Sequence, residues 1–158
     1  MTVYRQANIR PALVIRARVL RAIRDFFWKE GYLEVDTPVR IPAPAPEAHV
    51  DAPESGAWFL HTSPELCMKR LLGAGFEKIY QICPCFRAGE RGHRHLPEMT
   101  LLEWYTAHAD YRDMMTQCER LIPYILKNLG RNRLQYRGAV LDLTVPWERL
   151  TCLLYTSP

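Results

Sequence analysis

An α+β fold, with an antiparallel sheet flanked by helices, is predicted by three features of the chain. Residues 79–88 (IYQICPCFRA) and 98–107 (EMTLLEWYTA) alternate as two β-rich runs, and the glycine-containing polar stretch GERGHRHLP between them reads as a long basic loop. Residues 13–30 place Ile15, Val19, Ala22, Ile23, Phe26 and Phe27 at helical spacing, with Arg16, Arg18, Arg21 and Arg24 on the other positions. Residues 110–129 form a second helical run.

In chain order, the helix over 13–30 is amphipathic and has an apolar side to bury. Residues 41–56 (IPAPAPEAHVDAPESG) are proline-rich and without periodicity, which predicts a loop that leaves the core and either covers a site or connects two elements. Asp110 is the expected N-cap of the second helix, Pro123 is expected to kink or interrupt it, and Gly130 marks its end. Residues 134–149 (LQYRGAVLDLTVPWER) read as strand, turn, strand and the start of a further helix.

With 158 residues, 48% apolar and 24% charged, the chain suits one globular unit. It has neither an 18-residue apolar run nor a signal-peptide core, so no membrane association is expected and a cytoplasmic location is. The net charge of +4 suits RNA or an acidic partner, and equally suits no partner at all. Cysteines 67, 83, 85, 118 and 152 are odd in number and lack CxxC spacing paired with histidines. They are therefore read as reduced, mostly buried thiols, with no metal site; His49 and His61 are read as structural.

The polar residues of the two strand runs stand out. Arg87 ends the first, where its guanidinium can grip a phosphate through two parallel N–H bonds. Glu103 and Tyr105 are two apart on the second and share a face. A face carrying all three is too polar for ordinary core unless it lines a pocket; a solvated hairpin with surface ion pairs is the alternative reading.

The string FRAGERGHRHLPEMTLLEWY at 86–105 resembles motif 2 of the class II aminoacyl-tRNA synthetases, in the lysine, aspartate and asparagine subgroup. FFWKEGYLEVDTP at 26–38 is similar to motif 1, and Thr62-Ser63-Pro64-Glu65 with Met68-Lys69-Arg70-Leu71-Leu72 is similar to the signature of lysyl enzymes and of their paralogue, the ligase that attaches lysine to elongation factor P. The resemblance covers about residues 8–151 and implies part of a class II catalytic domain. The implied chemistry is attack of the lysine carboxylate on the α-phosphate of ATP with expulsion of pyrophosphate. No general base is needed, because that carboxylate is already ionised. It implies Arg87 as the catalytic cation, with Glu90, Arg94, His95 and Met99 along the ATP and Mg2+ as its counter-ion. Ser63, Glu65, Glu103 and Tyr105 are implied to hold the lysine, whose ammonium needs carboxylate partners in a partly dry pocket. Ser63-Pro64-Glu65 also reads as the N-cap, N1 and N2 of a helix, and both readings can hold together.

Two positions depart from the pattern: Gly89 stands where the family usually has glutamate, with Glu90 beside it, and Met99 replaces the phenylalanine that stacks on the purine. The chain also ends before motif 3. It is expected to be a truncated fragment, with residues 1–151 native and the tail CLLYTSP at 152–158 similar to translated adapter sequence. Such a fragment is expected to be marginal, with unpaired sheet edges. The motif 1 helix, implied to form a homodimer interface, begins near residue 12 and leaves no room ahead of it for an anticodon-binding barrel. That absence and the run Glu103-Trp104-Tyr105 favour elongation factor P as acceptor of the lysine, with tRNA as the alternative and a non-catalytic dimerising module as the second alternative.

Overall fold

The computed structural model describes residues 5–151; Cys152 and the rest of the tail lie outside the described residues. A short 3-10 turn at Arg5–Ile9 leads into α1 (Arg10–Lys29). There follow β1 (Leu33–Glu34), β2 (Arg40–Ile41), β3 (Glu54–Ser55), β4 (Trp58–Leu60), α2 (Glu65–Gly73), β5 (Lys78–Phe86), β6 (Glu98–Thr106), α3 (Tyr111–Asn128), β7 (Leu134–Tyr136) and β8 (Ala139–Leu141). These elements divide into two compact units, one of Phe27–His108 and one of Met1–Phe26 with Ala109–Pro158.

In the unit of Phe27–His108, β5 and β6 pair antiparallel over nine residues, from Lys78 opposite Thr106 to Phe86 opposite Glu98. The pleat then sorts their side chains onto two faces. Tyr80 and Trp104, opposite each other, turn to the apolar face, where fully buried Phe27 stacks on Tyr80 at 4.6 Å and meets Trp104 at 5.5 Å and Tyr32 edge-on at 5.0 Å. The opposite face carries the pairs Ile79–Tyr105, Gln81–Glu103, Cys83–Leu101 and Cys85–Met99, and Arg87 follows in the same alternation. The hairpin predicted from the alternating runs is therefore present, with its polar face set against an aromatic anchor.

Pro84 sits inside β5 without breaking it. The N–H of Phe86, two residues on, points away from β6 to the carbonyl of His61, so the donor that Pro84 lacks would not have served the β5–β6 ladder. β1 adds to β5 in parallel, Leu33 opposite Ile79, which makes the sheet mixed where only antiparallel pairing was expected. Among the described residues no strand pairs with the outer side of β6, in keeping with the expected open edge. A second small sheet has the order β2-β4-β3. It corrects the reading of 41–56 as wholly loop, since Ile41 and Glu54–Ser55 are strand residues that flank the prolines.

In the other unit, α3 begins with a capping box: the Asp110 side chain accepts from the backbone N–H groups of Arg112 and Asp113, and the Asp113 side chain accepts from that of Asp110. The helix runs through Pro123 uninterrupted, against the expected break, with buried Leu121 and Leu126 on either side of it. Phe26 lies 5.5 Å from Tyr124, and Arg18 donates to the carbonyl of Asn128 at 3.1 Å. β7 and β8 form a hairpin whose turn residues Arg137 and Gly138 both take positive φ, as a tight two-residue turn requires. The helix expected to start near the end of residues 134–149 is absent; the chain from 142 to 151 is irregular, tied back where Trp147 N–H and Arg149 reach Glu119 at 3.0 and 3.2 Å.

α1 buries Ala22, Ile23, Phe26 and Phe27, as its pattern predicts, but Leu13, Val14 and Ile15 in its first turns remain exposed. No described helix is long and apolar enough to cross a membrane.

Candidate active site

Glu103 lies at the centre of the polar face of the hairpin. One carboxylate oxygen accepts from Ser63 Oγ at 2.6 Å and the other from Tyr105 OH at 2.6 Å. These are short charge-assisted bonds, and they pin the side chain in one orientation. Tyr105 is half-buried; burial first, then the bond to Glu103 and the charges of Glu103 and Glu65, push its hydroxyl well above the ordinary tyrosine range, so it stays a donor. Ser63 serves two elements at once, because its Oγ also accepts the Glu65 backbone N–H at 3.1 Å. The helix start predicted at Ser63-Pro64-Glu65 is present one residue later than expected: Pro64 is the N-cap, its carbonyl accepting from Met68, and Glu65 is the first helical residue. Glu65 itself turns to Lys69, one turn along α2.

Beneath Glu103, its cross-strand partner Gln81 is buried and accepts from Thr37 Oγ1 at 2.9 Å, while its Nε2 has no partner. Thr37 lies in the segment similar to motif 1, so two separate segments meet under the site. Gln81 and Thr37 were not singled out in the sequence; the alternation that places Gln81 with Glu103 was the available signal.

At the far end of the strand, about six residues or roughly 20 Å from Gln81, Arg87 donates its backbone N–H to Pro97 and lies 3.8 Å from Glu90. Arg87 Nε and Glu90 Oε2 are both buried and without a partner, so this pair retains an unused donor and an unused acceptor. Gly89 takes φ +73°, a turn conformation that the family's usual glutamate would strain. The chain at Ala88 is held by the carbonyl of Asp51, which ties the end of the proline-rich stretch to the loop. Arg94 and His95 are exposed on that loop and Met99 is half-buried at the base of β6.

The structure thus brings Ser63, Glu103 and Tyr105 into one bonded cluster with Glu65 at its margin, and Arg87 with Glu90 into a second on the same strand face. No bond joins the two clusters among the described residues. A cleft of about 650 Å³ in the unit of α3, lined by Pro123, Leu126, Lys127 and Arg131, contains none of the sequence-predicted residues.

Residues 1–154 match the family model of the tRNA synthetases class II (D, K and N). The chain is 39% identical over 151 residues to a lysine–tRNA ligase of Clostridium botulinum (strain Langeland), covering 91% of this chain and 30% of that protein. It is 39% identical over 153 residues to one of Carboxydothermus hydrogenoformans, covering 92% and 31%, and 37% identical over 151 residues to one of Clostridium perfringens (strain SM101), covering 91% and 30%. The chain spans about 30% of the length of these curated relatives. On the match along nearly its whole length, the chain belongs to the class II tRNA synthetases of the D, K and N group.

Proposed function

We propose that the polypeptide to which this segment belongs is a cytoplasmic ligase that activates lysine with ATP, forming lysyl-adenylate and pyrophosphate. The observation that carries this reading is the Glu103 carboxylate, fixed by Ser63 and Tyr105 on the same strand face as Arg87. A carboxylate held in that way recognises an ammonium group, whereas a pocket for aspartate would call for a cation there. Glu65 adds negative charge at the margin.

At the other end, Arg87 neutralises the charge that builds on the α-phosphate during attack. Its unpartnered Nε is the kind of donor a phosphate oxygen satisfies, and the unpartnered Glu90 oxygen suits an amine or a hard cation. Arg94 and His95 lie along the polyphosphate and Met99 packs against the purine through its thioether. Mg2+, when bound with the triphosphate, screens its charge. Lysine-dependent exchange of pyrophosphate into ATP by the full-length polypeptide tests the reading; exchange with aspartate instead overturns the choice of lysine, and no exchange leaves the non-catalytic dimerising module. The exposed Leu13, Val14 and Ile15 of α1 support a homodimer through that helix.

For the acceptor, Glu103-Trp104-Tyr105 favours a lysine of elongation factor P, while the names of the relatives favour tRNA. Radiolabelled lysine offered to both acceptors side by side decides between them: stronger labelling of tRNA reverses the first reading.

A further inference from the structure

His61, Cys83 and Cys85 converge in the interior of the unit of Phe27–His108. All three are buried, at 1%, 4% and 0% exposure. The two sulfurs lie 3.8 Å apart, and His61 Nε2 lies 3.9 Å from Cys83 Sγ and 3.8 Å from Cys85 Sγ. A zinc ion with sulfurs at about 2.3 Å and tetrahedral angles spaces its thiolates by about 3.8 Å. The near-equilateral triangle of donors therefore has the size of one face of such a coordination shell. The arrangement follows from the fold. Cys83 and Cys85 are two apart on β5 and share a face, and the segment before α2 is held to the side of β5 away from β6, beyond the short β1, by the Phe86 N–H to His61 carbonyl bond.

We propose that His61 Nε2, Cys83 Sγ and Cys85 Sγ bind Zn2+, tying the chain just ahead of Ser63 to the middle of β5. This goes beyond the proposed lysine activation and does not depend on it. Three protein donors leave a fourth position for water. On binding, the two thiols release their protons to solvent and their sulfurs each give a lone pair to the ion. Nε2, which lies 2.8 Å from the Pro84 carbonyl, gives up that bond and its proton, and the proton moves to Nδ1, a buried nitrogen with no present partner.

The test titrates the reduced, chelator-stripped 158-residue chain with Co2+ as a spectroscopic stand-in, then with Zn2+. The expected result is a thiolate-to-cobalt charge-transfer band that saturates at one equivalent and is bleached by Zn2+, together with a Zn2+-dependent rise in Tm. Both persist in a Cys67→Ser/Cys118→Ser/Cys152→Ser variant, which keeps the cluster intact. The band is lost in Cys83→Ser/Cys85→Ser, and in His61→Gln, which keeps both thiols, the Tm response is lost. Absence of the band in the unaltered chain, its survival in Cys83→Ser/Cys85→Ser, or a band without any rise in Tm would each overturn the proposal, the last by assigning the binding to the unfolded chain.

Discussion

The β5–β6 and β7–β8 hairpins are both antiparallel, yet one is a scaffold and the other a surface feature. β5–β6 has nine facing pairs, one face resting on the Phe27, Tyr32, Tyr80 and Trp104 rings. β7–β8 has three, with every residue of β8 exposed. An isolated two-stranded ribbon is marginal in water, and what distinguishes the longer one is the apolar cover behind it. That cover is also what permits a polar front. Glu103, Gln81 and Tyr105 can be held at fixed positions because the strands beneath them are anchored from the other side.

The comparison breaks most directly at Phe27. Phe27→Ala removes the ring on which three others pack and should cost about 3–5 kcal/mol, read by urea denaturation. Hydrogen exchange should show the β5 and β6 amides losing protection while those of β7 and β8 hardly change. Equal loss in both hairpins would mean that they share one support. The front face is the next test. Glu103→Ala leaves the Ser63 and Tyr105 hydroxyls without their acceptor in a half-buried setting and should cost about 1–3 kcal/mol. Tyr105→Phe should cost less when made in the Glu103→Ala background than in the native one. Additive effects would mean that the bond contributes nothing beyond packing.

The same contrast explains what the sequence made legible. IYQICPCF and EMTLLEWY alternate over a length at which period two is unmistakable, so both strands and the shared face of Glu103 and Tyr105 could be read. β2 and β3 could not, since two-residue strands carry no period and the surrounding prolines argue for loop. Nor could the parallel pairing of β1, whose Leu33 lies opposite Ile79 far along the chain, which no local pattern records. The uninterrupted passage of α3 through Pro123 reflects tertiary burial of Leu121 and Leu126 prevailing over a local rule. The helix expected after β8 fails for the opposite reason: β8 is exposed, and the chain after it is tied through Glu119 without building a helical face. Among the site residues, motif resemblance and strand parity pointed to Ser63, Glu103 and Tyr105. The grouping of His61 with Cys83 and Cys85 has no CxxC spacing to mark it, because a Cys-x-Cys on one strand face meets its histidine only through the fold.

In the unit of α3, the start of the helix rests on a local device, and the cap tests this. Asp110→Ala removes the acceptor for the Arg112 and Asp113 N–H groups and should cost about 1 kcal/mol, with fraying confined to the first turn of α3. Asp110→Asn, which keeps the acceptor oxygen, should recover most of it. If Asn fails where Asp succeeds, the charge at the helix N-terminus is the larger contribution.

The smallest effect is expected at Tyr136. It is 56% exposed, and the described contact of its ring is with Arg137, whose guanidinium lies 5.3 Å from the ring centre. An exposed cation–π contact of this kind is worth about 0.5 kcal/mol, and little apolar area is removed from water behind it. Tyr136→Ala should therefore change the unfolding free energy read by urea denaturation by no more than about 0.5 kcal/mol, with the cost felt as faster exchange of the β7 and β8 amides alone. Tyr80, the tyrosine on the anchored hairpin, supplies the matched control, because Tyr80→Ala opens the stack on Phe27 and should cost several times as much. Were the two tyrosines to cost the same, length and pairing alone would set hairpin stability here, and the aromatic cover would not be what holds the polar face in place.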